Sequence, residues 1–166
     1  MRFANVTITP SIPAGTYTEN DVLFNPTELK LPARGARLIS LYSVDTEKQL
    51  SSDSIALYFF QKNTHDLGTQ NEAANISDAN FRANQFIGAV SLTATNVNVL
   101  ALANVNIRYA DTYNDSADQD PLPLSVALSS IETGNAIYVA AVLDSVSTDP
   151  VFSGANSVDL VFGFEY

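Results

Sequence analysis

Cysteine is missing from all 166 residues, which excludes a disulfide framework and any thiolate zinc site and leaves stability to packing. Cations are scarce. Eight Lys and Arg against eighteen Asp and Glu give a formal net charge of -10, a balance that repels phosphate backbones and argues against a nucleic-acid partner. No stretch approaches the roughly 18 consecutive apolar residues of a spanning helix. The first ten residues alternate apolar and polar side chains, unlike a signal sequence or a membrane anchor, so the expectation is a soluble chain made in the cytoplasm with no membrane partner. Histidine occurs once, at His65. Asp66 follows it, but neighbours on an extended chain point apart, so the two form no ready-made catalytic couple. Gly134, Gly154 and Gly163 stand singly and build no phosphate cradle, and no serine elbow occurs. These gaps point away from an enzyme and from any cofactor.

What the chain has in abundance is alternation. Between residues 97 and 109 every odd position is apolar (Val97, Val99, Ala101, Ala103, Val105, Ile107, Tyr109), while Asn98, Asn104, Asn106 and Arg108 fall on even ones. A period of two is the signature of a strand with one buried and one wet face, so a long strand is expected there with its asparagines and arginine in water. The same grammar marks strands at 3–9, 37–45, 54–61, 89–93, 122–129, 135–144 and 157–166, and at 21–31 with a kink or break at Asn25-Pro26. Residues 77–87 read instead as a short helix, with Ser77 or Asp78 as N-cap and Gly88 as its stop. About nine strands separated by turn clusters imply an all-β fold, an antiparallel two-sheet β-sandwich of jelly-roll or immunoglobulin-like type. Hydrophobic residues make up 46% of the chain, enough for one core at this length, and residues 1–166 are expected to form a single domain.

Two strands are apolar on both faces. Tyr138, Ala140 and Val142 oppose Ile137, Val139, Ala141 and Leu143, and Ala56, Tyr58 and Phe60 oppose Ile55, Leu57 and Phe59. A sheet face in water has no use for this, so the second face must meet the helical insertion, a long loop or another subunit. If a subunit, the contact falls on Tyr58, Phe60, Tyr138, Ala140 and Val142. The acidic run Asp111, Asp115, Asp118 and Asp120 offers the oxygen ligands that calcium takes. Its spacing departs from the EF-hand loop and lacks that loop's turn glycine, and a solvated charged loop between strands is the other reading, so no metal site is assigned.

The order of short motifs from Asp21 to Leu92 resembles that of structural proteins of tailed-bacteriophage virions, in particular small head proteins of marine and cyanobacterial phages. The residues that carry the resemblance are Asp21-Val22-Leu23-Phe24, Leu29-Lys30-Leu31-Pro32, Arg37-Leu38-Ile39-Ser40, Val44-Asp45, Leu57-Tyr58-Phe59-Phe60, Asp66-Leu67-Gly68-Thr69, Ile76-Ser77-Asp78-Ala79 and Ile87-Gly88-Ala89-Val90. The resemblance implies a capsid decoration or cement subunit on the outer surface of the head. Its partners would be the major capsid protein and other copies of itself in a homotrimer, with no catalytic residues to carry over. A receptor- or glycan-binding β-sandwich module of a phage fibre or tail, presenting Tyr113 and Asp115 on a loop, is the alternative.

Overall fold

The computed structural model describes residues 1–50, 53–93, 99–101, 103–110, 124–127, 135–154 and 156–166. They hold β1 (Phe3–Ile8), β2 (Gly15–Thr16), β3 (Val22–Lys30), β4 (Gly35–Asp45), β5 (Ser54–Phe60), α1 (Asp78–Ala83), β6 (Phe86–Leu92), β7 (Val99–Ala101), β8 (Asn106–Tyr109), β9 (Leu124–Ala127), β10 (Ala136–Ser145), β11 (Val151–Phe152) and β12 (Val158–Glu165). One sheet has the order β1-β12-β4-β8-β7, with β9 also on β4; the other has the order β3-β10-β5-β6, and β2 and β11 form a small ribbon. All the named pairings are antiparallel.

The pairing decides between the two sandwich types. Set aside the ribbon and the short β7 and β9, and number the remaining eight strands in chain order. The first sheet then reads first, eighth, third, sixth, and the second reads second, seventh, fourth, fifth. That is the jelly-roll arrangement of eight strands in two sheets, and it differs from the immunoglobulin order.

The core lies between the sheets. Leu57, Phe59, Val139 and Ala141 from one layer share a buried cluster with Leu38, Leu41, Leu160 and Phe162 from the other. Phe59 and Phe162 meet edge to face across the gap, ring centres 6.1 Å apart at 88°.

Four expectations change in detail. Residues 21–31 form one strand, because β3 is a sheet edge and absorbs Asn25-Pro26 as a bulge. Thr27 pairs with Val139 and Phe24 with Ala141, so three steps on β3 match two on β10, and an edge bulge is where proline can sit. The helix starts as expected, with the Ser77 side chain accepting from the Asn80 backbone N–H at 3.3 Å. It stops at Ala83, earlier than Gly88, because Gln85 takes the left-handed conformation (φ 56°) just past the Asn84 cap; Gly88 belongs to β6 and pairs with Phe59. The long strand expected at 97–109 is a hairpin, β7 folding back on β8 with Ala101 opposite Asn106, and Asn104 supplies a turn residue between them.

The fourth change concerns which face is inside. Asn106 and Arg108 are each 1% exposed, whereas Tyr109 is 44% exposed and Ile107 half-buried. The cause is register. Asn106 lies opposite Asp45 and Arg108 opposite Ser43, and Asp45 and Ser43 are themselves buried. Both strands thus turn their polar set inward at this end of the sandwich and leave Tyr42, Val44, Ile107 and Tyr109 on the outer face.

Candidate functional site

The 25-residue connection between β5 and β6, residues 61–85, folds over the outer face of the second sheet. Its Leu67, Ile76 and Phe81 join Val22, Phe60, Ala140 and Val142 in a second apolar cluster. The rings of Phe60 and Phe81 meet edge to face at 5.3 Å, and Phe86 stands 5.2 Å from Phe81. The second apolar face of β5 and β10 is therefore covered from within the chain. Phe60 and Ala140 are fully buried and Val142 is 7% exposed, which leaves them almost no surface for a second subunit. Tyr58 and Tyr138 are only part-buried at the margin of the same cluster.

Side-chain amides hold this insertion in place. Asn25, at the β3 bulge, accepts from the Leu67 backbone N–H at 2.9 Å and donates to the Gly68 carbonyl at 2.8 Å. Asn84, fully buried, accepts from the Thr64 and His65 N–H groups at 3.0 Å each and donates to the His65 carbonyl at 2.7 Å. His65 thus serves through its backbone, in a loop that Asn84 shapes. A groove of about 300 Å³ remains between insertion and sheet, lined by Asn20, Tyr58, Leu67, Ile76, Phe81 and Val142 among others. Burial, and then the Asp144 charge, pushes the Tyr58 hydroxyl above its ordinary pKa, so it stays a neutral donor and acceptor at the groove wall.

Between the sheets lies a second feature that alternation had hidden. Arg108, Asn106, Asp45, Asp53 and Ser157 are all buried. Asp45 accepts from the Leu50 N–H at 2.8 Å and the Glu47 N–H at 3.0 Å, yet burial still raises its pKa. Asp53 accepts from the Ser147 N–H at 2.9 Å through one oxygen. Its other oxygen, all three Arg108 guanidinium nitrogens and both Asn106 amide atoms are buried without a hydrogen-bond partner. Desolvation lowers the Arg108 pKa, with the charges of Asp53 and Asp45 pulling the other way. The cluster is closed to solvent and presents no open face to a substrate.

The third feature is surface. Phe3 is 64% exposed, Phe86 46% and Tyr109 44%, and Tyr42 packs on Tyr109 with ring centres 5.6 Å apart. Asp111, Asp115, Asp118 and Asp120 lie outside the described residues, as does Tyr113. Among the described residues no group of three His, Cys, Asp or Glu side chains is placed to hold a metal ion. No helix of the described residues is long and apolar enough to cross a membrane. Compared with known proteins, the chain matches no family model and no curated protein.

Proposed function

We propose that the chain is a non-enzymatic structural subunit of a virion, a decoration or cement protein that binds the outer surface of a tailed-phage head and stabilises it. The observation that carries this reading is the strand order, a jelly roll of the sort that builds viral capsid domains. Fold alone does not fix function, and the second support is the run of motifs from Asp21 to Leu92 that resembles small phage head proteins. A third is the outer face of the six-stranded sheet, where Tyr42, Val44, Ile107 and Tyr109 keep apolar surface facing outward. Apolar area with a polar surround is what a stable contact needs, at about 800 Å² per partner. Binding only the assembled shell would stabilise that shell by mass action, and a net charge of -10 keeps the subunit off the packaged genome.

The test is to add the purified protein to heads assembled without it and follow co-sedimentation and head melting. Saturable binding with a rise in head melting temperature is the expected result. Jelly rolls also build lectin domains, so a glycan array is run beside it. Array hits together with no head binding would replace this reading with a glycan-binding module.

A further inference from the structure

We propose that β1 is the seam of a two-fold dimer of this chain, two copies pairing edge to edge with Asn5 on the axis. β1 ends the six-stranded sheet, and its hydrogen bonds fix which way each residue faces. Arg2 and Tyr166 exchange both backbone bonds, at 2.9 and 3.0 Å. Such pairs alternate along an antiparallel ladder, so in the regular register from Phe3 to Ile8 the residues bonded to β12 are Ala4, Val6 and Ile8. The N–H and C=O groups of Phe3, Asn5 and Thr7 therefore point out of the sheet, and among the described residues none bonds to them.

Soluble chains guard such an edge with proline, charged side chains, a bulge or a covering loop. β3, an edge of the other sheet, has all four, with exposed Glu28 and Lys30 as its charges. It carries Pro26 in a bulge, and the insertion covers it through bonds from the Val22 N–H to the Glu72 carbonyl and from the Asn71 N–H to the Val22 carbonyl. Among the described residues β1 has none: its sequence, Phe-Ala-Asn-Val-Thr-Ile, holds no proline and no charge, its register is unbroken, and no described loop bonds to its outer edge.

The second copy fits because the seam is self-complementary. Outward-facing residues must pair with outward-facing residues, and setting Phe3 against the partner's Thr7 and Asn5 against the partner's Asn5 uses all of them, each pair exchanging both bonds. On the inner side this register places Ala4 beside the partner's Val6. Val6 and Ile8 are half-buried at the margin of the main core, so the seam joins two cores into one. On the outer side exposed Phe3 lies over the partner's Thr7. Charge is consistent with this: the nearest acid on β12, Glu165, is already paired with Arg37 at 3.5 Å, so no like charges face each other along the seam. Repulsion between two copies at -10 each acts from a distance, and added salt should tighten the dimer.

Sedimentation equilibrium of the purified chain, with no phage head present, tests this separately from the shell reading. The expected mass is twice 17.9 kDa, with the dimer fraction rising with concentration and salt. N5P removes an outward N–H that the fold does not use, and N5K sets like charges opposite each other on the axis. Both should run as monomers, and N5K should melt as the wild type does at concentrations low enough to leave the wild type monomeric, losing only the rise that dimer formation adds at higher concentration. N5C should oxidise to a covalent pair, the chain having no other cysteine, while T69C on the exposed insertion should not. A monomer at all concentrations, a mass of three chains, a dimer that N5K leaves intact, or an N5C variant that links no faster than T69C would each overturn the proposal.

Discussion

Arg108 is the residue whose environment differs most from what its chemistry prefers. A buried guanidinium needs partners, and its three nitrogens have none although Asp53 and Asp45 lie near enough to act on its charge. Taking one member out of a buried set of opposite charges leaves the others uncompensated, at a cost of about 3–5 kcal/mol. With Asp45 and Asp53 buried beside it, R108M is therefore expected to melt below the wild-type temperature, and an unchanged or higher melting temperature would mean that the two aspartates need no counter-charge there. Nothing in the alternation could reveal this site. A period of two says that two faces differ but not which one is inside, and the answer came from register with Ser43 and Asp45. Tyr17 is a residue-scale case with a pH signature. It is buried, its hydroxyl donates to the Pro13 carbonyl at 2.9 Å, and burial, with Asp21 adding to it, raises its pKa from 10.0 to about 12. Above pH 10 the unfolded chain loses this proton while the folded one keeps it, so stability is full below pH 10 and falls as pH climbs to about 12. Denaturant melts of wild type and Y17F across that range should show a shallower decline in the variant; parallel declines would remove Tyr17 as a cause.

At the scale of elements, the insertion 61–85 is the part whose place in the fold depends on a few polar anchors. Asn84 closes it, satisfying two backbone N–H groups and one carbonyl inside the structure. N84A strands these groups, each at about 1–3 kcal/mol if it stays buried. The expected outcome is a lower denaturation midpoint with new proteolytic cleavage near residues 62–66, and an unchanged midpoint would show that the loop is held by Leu67 and Phe81 alone. Strands were legible because alternation is a local property, and the helix start was legible because Ser77 caps it with its own side chain. The β3 bulge and the β7–β8 hairpin were not, since both are set by which strand lies next door. The cover over β5 and β10 was half legible. Apolar residues on both faces required a cover, but only the packing of Leu67, Ile76 and Phe81 on Phe60 and Val142 shows that the chain supplies it.

For the whole molecule the ruling quantity is charge. The described residues show two ion pairs, Lys30–Glu28 at 3.8 Å and Arg37–Glu165 at 3.5 Å, each with at least one half-exposed partner, and such pairs contribute about 0–1 kcal/mol. Against them stands the mutual repulsion of a chain at -10. Salt screens both, but at a Debye length of about 10 Å in 0.1 M salt the long-range repulsion is lost first. Melting temperature should therefore rise as sodium chloride is added to a low-salt buffer, where a gain of about 1 kcal/mol corresponds to roughly 2–4 °C for a chain of this size. Dimer formation would raise it too, because a partner that binds only the folded state stabilises that state. The N5K variant separates the two effects, since it is expected to stay monomeric and to lose only the part that depends on protein concentration. A melting temperature that falls with salt in N5K would mean that attractive ion pairs outweigh net repulsion. In that case the acidic surface would be organised into networks that contribute to the fold, and its role in keeping copies apart would be secondary.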